Sequence, residues 1–207
     1  MFAKSSRDAV DERSRGAVFL DRDGVINEER GYIRDIDELV LLPGAAQAIK
    51  MLNNRGIFCC LVSNQSGAAR GYYPLSHIEA LHQRLQELLY QEAEAFLNHI
   101  YYCPSLSPEE GGVVPELTYY STWRKPNTGM LVAAAWAHNL DLSRSVVIGD
   151  KATDIDMAHN AGCKGVLVTT GYGREVLAGT YQHPVQPDYI AKDILDAVRW
   201  VISNCEF

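Results

Sequence analysis

At 207 residues, with 47% apolar and 22% charged content, the chain has the size and composition of one globular domain with a well-buried core. A formal net charge of −7 without any dense Lys/Arg block argues against a nucleic-acid partner, and the longest apolar runs, such as 56–62, are too short to span a bilayer. Five cysteines, an odd number, with Cys59 and Cys60 adjacent in a strand-like run, suit a reducing cytoplasm better than a disulfide framework.

Residues 1–15 are polar and of mixed charge, without the apolar stretch of a signal peptide, and read as a disordered extension ahead of a domain over 16–207. Short apolar runs then alternate with amphipathic segments, the pattern of an α/β domain with a parallel sheet. Strands are predicted over 17–20, 57–62, 145–148, 165–169 and 189–191. Helices are predicted over 43–54, stopped by Gly56, 75–97, 127–138, 153–160, ended by Gly162, and 194–203. In the 75–97 helix Leu81, Leu85, Leu88 and Leu89 share a stripe. Residues 101–123, rich in Pro, Gly and Ser, read as one long irregular loop.

Several strands end in polar clusters, and in open α/β sheets ligands bind outside the carboxyl ends of the strands. Asp21 and Asp23, two apart beyond the first strand, put both carboxylates on one side if extended geometry continues. One can attack phosphorus while the other handles a proton, although a solvated Asp-Gly turn would use the same residues. Asp150 and Asp154 add hard oxygens of the kind Mg²⁺ prefers, with Asp154 also suited to a helix start. The Ser63-Asn64-Gln65-Ser66-Gly67 turn offers a hydroxyl, amides and backbone N–H groups to phosphate, and Arg124-Lys125-Pro126 places cations before a helix.

Asp21-Arg22-Asp23-Gly24, Ser63, Lys125 and Gly149-Asp150 with Asp154, taken in this order, resemble the four signatures of the haloacid dehalogenase superfamily from about Ala17 onward. The resemblance implies a Rossmann-like sheet with helices on both faces and a minimal loop cap. It implies Asp21 as nucleophile, Asp23 as general acid/base, and Ser63 and Lys125 on the transferring phosphoryl group. Mg²⁺ would be held by Asp21, Asp150 and the backbone carbonyl of Asp23. Val25 departs from the threonine usual in the family.

Gly31-Tyr32, the Ser63–Gly67 turn with Ala69-Arg70-Gly71, Tyr101-Tyr102-Cys103-Pro104 and Arg124-Lys125-Pro126 further resemble phosphatases of D-glycero-D-manno-heptose 1,7-bisphosphate, with histidinol-phosphate phosphatases close by. That likeness implies substrate contacts from Glu29, Arg30, Gly31, Tyr32, Ser63, Asn64, Gln65, Ser66, Arg124, Lys125 and Lys151. The implied substrate is a small phosphorylated sugar on the route to activated heptose and lipopolysaccharide, acted on by a cytoplasmic monomer that needs neither nucleic acid nor membrane. Relatives commonly carry a structural zinc. Here only Cys103 remains, with Ser105, Ser121 and Trp123 at the other three places, so no zinc is expected and Tyr119, Tyr120 and Trp123 are expected to pack instead. A receiver-like phospho-acceptor domain is the rival of another class, and Asp23 argues against it because it would shorten a phosphoenzyme's life. Cys59 and Cys60 read as core, Trp136 and Trp200 as packing anchors, and His77 as a neighbour of the sugar.

Overall fold

The computed structural model describes residues 14–207; most of the expected N-terminal extension, residues 1–13, lies outside them, while Arg15 already bridges to Leu140. Strands β1 (Ala17–Leu20), β2 (Phe58–Asn64), β3 (His99–Cys103), β4 (Val146–Gly149), β5 (Lys164–Val168) and β6 (Tyr189–Ala191) form one sheet in the order β3-β2-β1-β4-β5-β6. Every pairing is parallel. The chain runs outward from β1 to β3, then returns to β4 on the other side of β1. That reversal makes the carboxyl end of β1 the switch point where such sheets bind ligands.

Because strand side chains alternate, each strand feeds two cores. Val18, Leu20, Cys59, Leu61, Val146 and Ile148 face one side, covered by helices α1 (Ala45–Asn53) and α2 (Leu75–Ala93) together with the carboxy-terminal helix over 194–204. Ala17, Phe19, Phe58, Cys60, Val62 and Val147 face the other, covered by α3 (Gly129–His138) and α4 (Ala152–Asn160). A five-residue helix, α5 (Gly173–Leu177), follows β5, and α6 (Ile194–Asn204) closes the chain. The α/β class, parallel sheet and two-sided helix cover are those expected.

Some expectations need correction. Residues 101–103 belong to β3, whose central position Tyr101 is buried while His99 is exposed; this edge-strand pattern was hidden by the Pro/Gly-rich residues that follow. α2 stops at Ala93, not 97, because Glu94 turns left-handed (φ 51°) and the N–H groups of Glu94 and Ala95 return to Tyr90 and Leu89. Pro43 lies just outside α1, which opens at a left-handed Gly44. Trp136 is no anchor: it is 89% exposed, and Met130, Leu131 and Ala134 make the buried face of α3. Trp200 does pack, stacked on Tyr189 at 4.8 Å.

The loop after β3 is tied down, though not by the expected aromatic cluster, since Tyr119 and Tyr120 are exposed. Leu106 is buried and pairs with Leu117, and the N–H groups of Val113 and Val114 both donate to the Ala69 carbonyl. Trp123 alone contributes a ring, 5.8 Å from that of Tyr101. Cys103 Sγ lies 3.1 Å from the buried Ser105 hydroxyl.

Candidate active site

Asp21 is the first residue past β1, and its N–H donates to Ile148 of β4, so the nucleophile candidate is fixed where the sheet reverses direction. Its Oδ1 accepts from the Arg22 N–H at 2.7 Å and meets Lys125 Nζ at 2.9 Å. Lys125 reaches on to Asp154 Oδ1 at 2.6 Å and to the Val62 carbonyl at 3.2 Å. Burial raises the Asp21 carboxyl, but Lys125 and Lys151 outweigh it and hold the group below the ordinary carboxylate range. Burial would likewise lower Lys125, yet Asp154 and Asp21 raise it, so it stays an ammonium.

Asp154 does two things at once. Its Oδ2 accepts the Lys151 N–H at 3.0 Å at the start of α4, and its Oδ1 anchors Lys125. The helix-start reading from sequence is therefore correct but incomplete.

Asp23 is held by three side chains. Arg22 forks onto it through Nε and Nη2 at 2.9–3.1 Å, Asn27 Nδ2 donates at 2.9 Å, and Gln65 Nε2 donates at 3.0 Å. Gln65 Nε2 also donates to Ser63 Oγ at 2.9 Å, linking the two strand ends. Arg22 is 1% exposed, an unusual burial for a guanidinium that the bidentate carboxylate makes tolerable. Sequence reading missed Arg22 and Asn27 as positioning residues, although an arginine set between two aspartates directly after an apolar strand is the signal that could have found one. Nearby, burial and then Arg22 push the His82 ring down to about 3, so it is a neutral core histidine.

Asp150 follows β4 and is fully buried. Its Oδ2 accepts the Tyr172 N–H at 2.9 Å, while Oδ1 has no hydrogen-bond partner. Gly24 and Gly171 close on this carboxylate so tightly that a Cβ at either would stand 2.3 or 2.1 Å from Oδ2; both have positive φ. Burial pushes the Asp150 carboxyl well above its usual range, with Asp21 and Asp154 adding to the rise against Lys151.

An orphaned buried carboxylate oxygen beside a second carboxylate is the environment a hard cation would satisfy. Asp21, Asp150 and Asp154 each offer an oxygen within 4.8 Å of the others, the one such group of three or more metal-ligating side chains among the described residues. Both Asp154 oxygens are already engaged, which leaves Asp21 and Asp150 as the side chains that fit a metal.

Outside this buried layer opens a cavity of about 380 Å³ lined by Asp23, Glu29, Gly31, Tyr32, Asn64, Gln65, Ser66, Arg124, Lys125 and Lys151 among others. Asp21, Ser63 and Asp150 lie one layer further in. Lys151 is paired with Glu29 at 2.8 Å, and Glu29 also accepts the Gly31 N–H. Asn64 accepts the Lys125 N–H at 3.0 Å and so fastens the end of β2 to the Arg-Lys-Pro segment, whose Lys125–Pro126 bond is cis. Arg30 does not join: it turns to Glu28 at 2.6 Å and is absent from the lining. His77 is also outside, bonded to the Ile33 carbonyl. Glu110, Thr153, Tyr172, Tyr181 and Gln182 line the cavity without having been picked out in the sequence: Thr153 comes from the first turn of α4, and the others arrive from loops and turns whose course only the fold determines.

A parallel sheet that gathers an aspartate nucleophile candidate, its lysine and a buried acid cluster at one switch point defines a HAD-like phosphoric monoester hydrolase, and the HAD-hydrolase-like family model matches residues 122–197. The chain is 63% identical over 190 residues to a D-glycero-D-manno-heptose-1,7-bisphosphate 7-phosphatase of Thermosynechococcus vestitus, covering 92% of this chain and 97% of that one. An Escherichia coli K12 D-glycero-beta-D-manno-heptose-1,7-bisphosphate 7-phosphatase is 38% identical over 161 residues, 77% of this chain and 82% of its own. A crystal structure of D,D-heptose 1,7-bisphosphate phosphatase from B. bronchiseptica, complexed with magnesium and phosphate, superposes with a TM-score of 0.78 at 30% identity, over 91% of this chain and 98% of that one. The chain belongs to the heptose-bisphosphate phosphatase family of HAD-like hydrolases. No helix among the described residues is long and apolar enough to cross a membrane.

Proposed function

We propose that the chain hydrolyses the 7-phosphate of D-glycero-D-manno-heptose 1,7-bisphosphate through an aspartyl-phosphate on Asp21, supplying activated heptose for lipopolysaccharide core. The observation that carries this reading is the buried Asp21–Lys125–Asp154 chain next to a clamped Asp23, opening on a cavity rimmed by Arg124 and Lys151. A carboxylate held ionised is a competent nucleophile, and its attack on a dianionic phosphate needs neighbouring positive charge. Lys125 supplies one fixed charge to the transferring oxygens. Mg²⁺, held by Asp21, Asp150 and the Asp23 backbone carbonyl, would supply more charge stabilisation when bound. Asp23 protonates the leaving sugar oxygen and then takes a proton from the water that hydrolyses the acyl phosphate. Ser63 orients the phosphoryl group, with Gln65 joining it to Asp23. Glu29, Gly31, Tyr32, Asn64, Ser66 and Lys151 contact the sugar, and Arg124 receives the second phosphate. The enzyme works as a cytoplasmic monomer on a small sugar, with no nucleic-acid or membrane partner.

The test is kcat/KM over a panel of heptose 1,7-bisphosphate, sugar monophosphates and histidinol phosphate, with Mg²⁺ present. A clear preference for the bisphosphate, cleaved at position 7, is expected; equal or better turnover of histidinol phosphate would redirect the assignment. Phosphoenzyme lifetime separates the enzyme from a receiver-like domain, since a species lasting minutes belongs to signalling.

A further inference from the structure

Arg124, the cation read above as the receiver of the second phosphate, is already engaged by a carboxylate from its own chain. Glu110 accepts from Arg124 Nε at 3.2 Å on both oxygens and from Nη2 at 3.1 Å, the same fork a phosphate would use. Although Glu110 is exposed, its own turn fixes where the carboxylate points. The buried Ser107 hydroxyl donates to Glu110 Oε2 at 3.1 Å and accepts the Glu110 N–H at 3.3 Å. The turn closes through Gly111 and Gly112, whose N–H groups return to Pro108 and Ser107. Gly111 has φ +95°, and a Cβ on Gly112 would come within 2.9 Å of the Leu106 carbonyl and 2.8 Å of Thr118 Oγ1, so the turn accepts few other residues and aims its carboxylate at the rim. Arg124 Nη1 meanwhile is buried and has no partner, an open donor beside the occupied fork.

We propose that Glu110 is a specificity-determining residue: an internal anion that occupies Arg124 in the free enzyme, yields it to the second phosphate of the substrate, and reclaims it as product leaves. The inference rests on the reading of Arg124 as the second-phosphate contact. The pair is partly exposed, with side chains 20% and 48% accessible, so it holds weakly enough for a phosphate to exchange with it. The displaced Glu110 then stands near that phosphate and opposes it, which weakens retention of the sugar 1-phosphate product. A ligand with a phosphate only at the reacting end never meets this competition.

The experiment measures KM for the bisphosphate and the inhibition constant of the sugar 1-phosphate in wild type, Glu110→Gln, Arg124→Ala and the double variant, with thermal melts to confirm folding. Glu110→Gln should tighten product inhibition and lower KM by roughly 2- to 5-fold, the scale of one partly exposed ion pair. That gain should vanish in the Arg124→Ala background. Unchanged or weaker product binding in Glu110→Gln, with Arg124→Ala raising KM, would overturn the role of Glu110 alone. An Arg124→Ala variant with unaltered KM would instead remove the second-phosphate reading beneath it.

Discussion

At the floor of the cavity, Lys125 joins Asp21 and Asp154 through side chains no more than 4% exposed, whereas at the rim Arg124–Glu110 and Lys151–Glu29 join side chains that are 13–48% exposed. The same chemistry, ammonium or guanidinium on carboxylate, serves opposite ends. Breaking a buried pair strands a charge away from water, at a cost of about 3–5 kcal/mol, so the floor keeps one geometry. An exposed pair is worth about 0–1 kcal/mol, so the rim can trade its internal partner for a ligand. A site divided this way fixes its reaction in the floor and tunes its selectivity at the rim.

The sharpest way to break that division is Asp21→Asn. It should fold and lose turnover by roughly 10⁴-fold or more, as removal of a nucleophile does; residual activity above contaminating phosphatase would show that the floor does not carry the reaction. Asp23→Asn should cost roughly 10²–10⁴ in kcat, the range of general acid–base catalysis, and less for p-nitrophenyl phosphate, whose leaving group needs no proton. Equal losses on both substrates would deny Asp23 an acid role.

Floor and rim should then separate kinetically. Lys125→Ala should lower kcat for every substrate by about 10²-fold, while Arg124→Ala should raise KM by about 10-fold for the bisphosphate and spare monophosphates. Identical profiles would erase the distinction. Stability offers a gentler test. Burial raises Asp150 and Asp154 above the ordinary value of 3.8, so their ionised forms cost stability in chelator at neutral pH, and the cost fades as pH falls toward their folded values. Asp21 has the opposite sign, and its contribution is lost only below that ordinary value. The rise in Tm on adding Mg²⁺ should therefore be larger at about pH 8 than at about pH 5; a gap that does not change with pH would place the cation elsewhere. Zinc should have the smallest effect of all, with elemental analysis finding no stoichiometric metal at Cys103.

The floor was the legible part of the sequence. Asp21, Asp23, Asp150 and Asp154 each sit within a few residues of an apolar strand end, so local pattern and sheet geometry together locate them. The rim was less legible because Glu29 and Glu110, the carboxylates that hold Lys151 and Arg124, lie in loops with no strand end to locate them. Arg30 looked equal to its neighbours, yet Glu28, two residues back, captures it. The edge strand β3 was merged into a loop because Pro104 and the glycines downstream dominate that window, while the tyrosines that form the strand look equally at home in either. Trp136 was misjudged from size alone; on α3 its position faces away from the sheet, and a large ring does not decide which side of a helix is buried.

The crowding of Gly24 and Gly171 around Asp150 bears on how natural variation in this chain should be interpreted. Position 171 lies in a turn after β5, holds no functional side chain, and would pass in an alignment as an ordinary loop residue. A single methyl group there would nevertheless collide with the Asp150 carboxylate. A Gly171→Ala variant, which changes no functional side chain, should thus cut kcat/KM sharply by displacing Asp150, and the crowding against the Gly24 backbone should lower Tm as well.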